Sequence, residues 1–145
     1  MARPAWVWAL VLLVIAAPAP AAGDGCAIAV IVNLQTTLGP VSVQEVKALY
    51  LGEITGIQSK NLRPVGYVAG TPIRSLFDQT VLDMTSEQFA EHWRSKRFLG
   101  SFQKQPTAFK SVAAVKKFVA EVEGSIGFVP CSEADASVRT ILKLP

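Results

Sequence analysis

The chain has 145 residues, half of them apolar, with a formal net charge of +3. That length admits one domain and that composition a sizeable core, which excludes a disordered or multidomain chain. One histidine and two cysteines are too few for a His/Cys metal cluster, and so mild a charge balance excludes little by itself.

Arg3 precedes an apolar run from Pro4 through Ala17, followed by small residues and prolines with Ala19 and Ala21 spaced as an A-x-A cleavage site. A charged start, an apolar core of about 13 residues and a small-residue exit predict a secretory leader over 1–22. The core is short of the roughly 20 residues that a membrane span needs. The leader also lifts the mean hydropathy, which is +0.35. Residues 23–145 are then expected to form a single α/β domain, periplasmic or secreted, with no stable membrane anchor after cleavage.

Ala27–Asn33 (AIAVIVN) is a continuous apolar run, the pattern of a strand buried on both faces. Leu34–Pro40 reads as a polar loop. Ser42 with Glu45 forms a capping box, and Val43, Val46, Leu49 and Tyr50 give the next helix its apolar stripe, ended by Gly52. After a loop over Glu53–Lys60, Val65–Ala69 is expected to be a short strand. Gly70-Thr71-Pro72 then turns into a helix over Ile73–Leu82, with Ile73, Leu76, Phe77 and Val81 near helical spacing, Thr71 as N-cap and Pro72 at the first helical position. A strand leading through glycine into a helix start is one way to aim backbone N–H groups at an anion, and equally a plain αβ connection.

Thr85 and Gln88 form a second capping box and open a helix to about Arg97, with Phe89 and Trp93 facing the core. Leu99–Phe109 has no period and contains Gly100 and Pro106, so it reads as a loop. Ser111 starts a helix with Val112, Val115, Phe118, Val119 and Val122 on one side, stopped by Gly124. Ile126–Pro130 is a third strand, and Val138–Leu144 alternates as an edge strand. Strands alternating with helices point to a mostly parallel sheet, α/β in class.

Cys26 stands just before the first strand and Cys131 just after Ile126–Pro130. In an exported chain, two cysteines point to one disulfide, and these two meet if those strands lie side by side and antiparallel. A redox role is disfavoured, because there is no Cys-x-x-Cys and no adjacent cation.

Between Glu91 and Lys117 lie Arg94, Lys96, Arg97, Lys104, Lys110, Lys116 and Lys117. This cationic stretch suits an anionic ligand, a membrane surface or an acidic partner. It matches no nucleic-acid reading motif. His92 is expected on a helix surface, and no HExxH, GxSxG or Walker loop occurs. Asp78 and Asp83 do not share a face, so a carboxylate acid/base pair is not expected. The chain is read as a non-enzyme with no cofactor and no metal.

Three pieces in order, Val46–Ile54 (VKALYLGEI), the Gly70-Thr71 turn with its helix, and Gly124–Val129 (GSIGFV), resemble the second-lobe segment of periplasmic phosphate-binding proteins of ABC transporters. In that family a "YLG-K-I"-like helix end precedes a strand and a phosphate-holding turn, and a "GAIGYV"-like strand follows a later helix. The likeness spans roughly Asn33–Pro130. It implies a single periplasmic-binding-protein-like lobe, with phosphate or a similar oxyanion held at Gly70 and Thr71. The family's turn carries an arginine and an aspartate that are lacking here. Arg74 is the nearest replacement charge, with Lys104 a further candidate. A homodimer across the missing-lobe face is one way to rebuild a cleft. The alternative is an envelope protein-interaction module that has lost its ligand and docks an acidic partner through the basic face, with Trp93, Phe98 and Phe102 beside it.

Overall fold

In a computed structural model the described residues run from Gly25 to Pro145. The expected leader lies outside them. Five strands form one sheet: β1 (Ile28–Val32), then, after a small hairpin of β2 (Gly56–Ile57) and β3 (Lys60–Asn61), β4 (Arg63–Tyr67), β5 (Thr107–Phe109), β6 (Ser125–Pro130) and β7 (Arg139–Leu144). Their order is β5-β4-β6-β1-β7. β4 pairs in parallel with both β5 and β6, whereas β1 pairs antiparallel with β6 and β7. Four strands therefore share a direction and β1 alone runs against them, so the sheet is mostly parallel.

Every residue of β1 is buried, as its unbroken apolar sequence requires of a strand covered on both sides. Neighbouring residues of β6 show what covers each face, since successive side chains point opposite ways. A Cβ on Gly127 would lie 3.0 Å from Val115 and 3.2 Å from Val119 of α4 (Val112–Glu121). Glycine therefore lets that helix approach the sheet closely. On the other side Phe128 stacks on Phe77 of α2 (Pro72–Phe77), centroids 3.8 Å apart, and meets Tyr50 of α1 (Val43–Tyr50) edge-on. The buried tyrosines keep their hydroxyls paired: Tyr50 donates to the Val65 carbonyl at 2.7 Å and Tyr67 to that of Phe128 at 2.7 Å. Buried Asn33 donates to the carbonyls of Val119 and Ala120, tying the end of β1 to the last turn of α4.

Both expected capping boxes form, at Ser42/Glu45 and at Thr85/Gln88, the second opening α3 (Ser86–Phe98) with Phe89 and Trp93 buried. The expected Ile73–Leu82 helix is α2 continued by a π-helical turn over Asp78–Leu82, ended by Asp83 at φ +54. The second strand begins two residues before the Val65 start expected and ends at Tyr67, because Arg63 and Pro64 pair with Ser125 and Ile126. Leu76 departs from the expected stripe and is half exposed. Two loops contain pairings that were not anticipated. Gln58 and Ser59, at φ +51 and +63, turn Glu53–Lys60 into the β2/β3 hairpin, and Thr107–Phe109 adds β5 to the sheet edge.

The disulfide forms. Ile28 lies opposite Pro130, which brings Cys26 and Cys131 together with Cα atoms 5.9 Å apart.

Candidate functional site

β4 ends at Tyr67, and the Val68 N–H donates to the Phe109 carbonyl at 2.9 Å before the chain turns at Gly70, φ +91. That left-handed conformation favours glycine, and the space in front of Gly70 is open. Thr71 occupies the N-cap position with extended backbone, but its hydroxyl donates to the Val68 carbonyl at 2.8 Å and caps nothing. Among the described residues the N–H groups of Gly70, Ile73 and Arg74 take no hydrogen-bond partner. They are the unsatisfied donors that a helix start leaves. This turn lies at the carboxyl end of β4, where open α/β sheets hold ligands.

Arg74 points elsewhere. Its Nε lies 3.3 Å from Asp78 Oδ2, its Nη1 donates to the Tyr67 carbonyl at 2.7 Å, and its guanidinium covers the Phe89 ring at 5.1 Å. Asp78 is buried and also accepts from Ser86 Oγ at 3.0 Å. Burial pushes its carboxyl above the ordinary value, against the opposing pull of Ser86 and Arg74. The arginine therefore neutralises a buried acid and fastens α2 to β4. Beside the turn lies a depression of about 290 Å³, lined by Gly70, Ser75, Asp78, Thr85 and Glu87 among others.

Lys104 is not part of this site. It lines a groove of about 540 Å³ at the opposite end of β4, with Leu49, Ile54, Arg63, Pro64 and Trp93. In that wall Trp93 Nε1 and Gln103 Oε1 are buried without partners among the described residues. A Cβ on Gly52, φ +71, would lie 2.6 Å from both side chains. α3 also holds the carbonyls that end α1. His92 Nε2–H donates to the Leu51 carbonyl at 2.7 Å and Lys96 Nζ to that of Gly52 at 3.1 Å. Polar and cationic groups are well placed at a helix C-terminus. His92 is thus half buried and structural, where a surface residue was expected.

The cationic stretch is also thinner than its sequence. Lys116 pairs with Asp135 at 2.9 Å, and Arg94 pairs with Glu91. Asp135 is held well below the ordinary carboxylate range, chiefly by the Ser137 hydroxyl and then by Lys116. Among the described residues no cluster of His, Cys, Asp and Glu could hold a metal ion. The groove and the arginine's engagement were not foreseen. The i, i+4 spacing of Arg74 and Asp78 was the one local signal for the latter.

No protein-family model and no curated protein matches the sequence. Solved structures do match the fold. An ABC-type phosphate transport receptor from Vibrio cholerae aligns with TM-score 0.62 and 17% identity over 80% of this chain and 45% of its own. A putative phosphate ABC transporter substrate-binding protein with bound phosphate, from Clostridium perfringens, aligns with TM-score 0.64 and 19% identity over 80% and 44%. A possible phosphate-binding protein from Planctomyces limnophilus gives 0.56 and 12% over 80% and 40%. The chain therefore has the fold of one part of a phosphate-transport substrate-binding protein and spans less than half the length of these structures.

Proposed function

We propose that this chain is an exported, non-catalytic binder of a small oxyanion, phosphate first, that works beside a phosphate ABC transporter in the periplasm. The observation that carries the reading is the Gly70–Arg74 turn. Three unpartnered N–H groups stand at the carboxyl end of β4, in a fold shared with transport receptors. Backbone donors at such a turn favour negative charge. Gly70 and Thr71 supply the turn, and the Arg74 amide contributes while its guanidinium stays with Asp78. One lobe encloses less of a ligand than a pocket normally does, which makes the affinity weak. No helix among the described residues is long and apolar enough to cross a membrane.

The test is a thermal-shift titration against phosphate, with chloride at matched ionic strength, alongside amide chemical shifts. A ligand of the native state alone raises stability by RT ln(1 + [L]/Kd), about 2.7 kcal/mol at one hundred times Kd. The expected result is a saturable, phosphate-specific rise with shifts centred on Gly70, Ile73 and Arg74. A rise that chloride reproduces, or none, overturns the reading. A second reading, an interaction module without a small ligand, draws support from Glu87 in the adjoining depression, which opposes an anion there, while Asp78 is already matched by Arg74.

A further inference from the structure

Three large apolar side chains at the end of α3 stand in water: Phe98 is 89% exposed, Leu99 82% and Phe102 102%. They lie within five residues, around Gly100 at φ +79 with open space beside it. So exposed a cluster gives the fold almost no burial, and grouped apolar exposure marks an interaction surface. The charge around it is of one sign. From His92 to Lys110 the chain has five lysines and arginines and no carboxylate. Arg94 is paired with Glu91 outside that stretch. Among the described residues, Lys96, Arg97 and Lys104 have no carboxylate partner. Lys96 and Arg97 bond only neutral oxygens, of Gly52 and Gln105.

We propose that this tip is a contact for an anionic membrane surface. Phe98, Leu99 and Phe102 enter the headgroup boundary, while the exposed Arg97 and Lys104 meet lipid phosphates. The shape favours lipid over a protein partner. Side chains that stand almost wholly clear of the body need a matching pocket in a protein, whereas a bilayer accepts them without shape complementarity. Few apolar side chains plus a basic collar give reversible binding, since stable attachment needs more buried apolar area. The tip is independent of the oxyanion turn. α3 begins beside the Gly70 depression and, at 1.5 Å per residue, carries the tip about 20 Å away.

The test is co-sedimentation of the full chain with vesicles of phosphatidylcholine alone and of phosphatidylcholine mixed with phosphatidylglycerol, at low and high salt. Wild type is compared with Phe98→Ser/Phe102→Ser and Arg97→Gln/Lys104→Gln. Any leader contributes equally to all three proteins, and unchanged melting temperatures confirm folding, because the altered side chains are exposed. The expected result is retention on the phosphatidylglycerol vesicles that falls with salt and drops about tenfold or more for the aromatic variant. Variants retained like wild type, or no retention of any of them, overturn the proposal. So does capture by immobilised polyglutamate that depends on the same side chains without vesicle binding, which assigns the tip to an acidic protein.

Discussion

Trp93 is 1% exposed and its indole N–H has no partner among the described residues. A buried donor left unpaired costs about 1–3 kcal/mol, so removing it offsets part of the loss from the smaller phenylalanine ring. Trp93→Phe should therefore destabilise far less than Trp93→Ala, for which about 3–5 kcal/mol is expected from cavity formation. Equal urea midpoints for the two variants would sink this account. Asp78 gives a pH signature. Its native carboxyl titrates above the ordinary value because of burial, so the native state keeps a proton that the unfolded chain has released. Stability then falls as pH rises from the ordinary value through the native one, and is level above it. Subtracting Asp78→Asn from wild type between about pH 3 and pH 6 should show that decline. Parallel curves would contradict it. Arg74→Ala leaves the buried acid unpaired and should cost about 3 kcal/mol. That loss makes the variant a poor probe of anion binding.

Capping distinguishes helices that look alike in sequence. Ser42 and Thr85 accept from the third amide of their helices, so Ser42→Ala and Thr85→Ala should each cost about 1 kcal/mol in denaturant unfolding. Thr71 holds the same position but bonds backward to Val68, so Thr71→Ala should cost less than either. A loss as large as at Ser42 would mean that its hydroxyl does cap α2. The two boxes were legible in the sequence because each depends on residues three apart. The β2/β3 hairpin and β5 were not. Gln58 and Ser59 are not the residues that usually mark a left-handed turn. Thr107–Phe109 has no alternation of its own and is a strand only because β4 lies beside it. The turn at Gly70 was readable, whereas the engagement of Arg74 depends on Tyr67 and Phe89 as well as on Asp78.

At the scale of the molecule, one reversed strand and one disulfide define the closure. β1 was recognisable as doubly buried from its apolar run, and the Cys26–Cys131 pairing followed once it ran antiparallel to β6. The bridge spans a separation of 105 residues. The chain-entropy relation gives about 4.7 kcal/mol for a loop of about 100 residues, so Cys26→Ser/Cys131→Ser should unfold at clearly lower denaturant. An unchanged midpoint would refute that contribution. The position of β1 also sets an order of events. Among the described residues Ile28–Val32 is made before the other strands, yet its neighbours β6 and β7 follow all of those in the chain. The most apolar strand of the sheet thus stays without either partner until both have been made, an interval in which its open edges invite aggregation. Its seating waits for β6 and β7, so closure of the Cys26–Cys131 bridge serves as a timestamp for an assembled sheet.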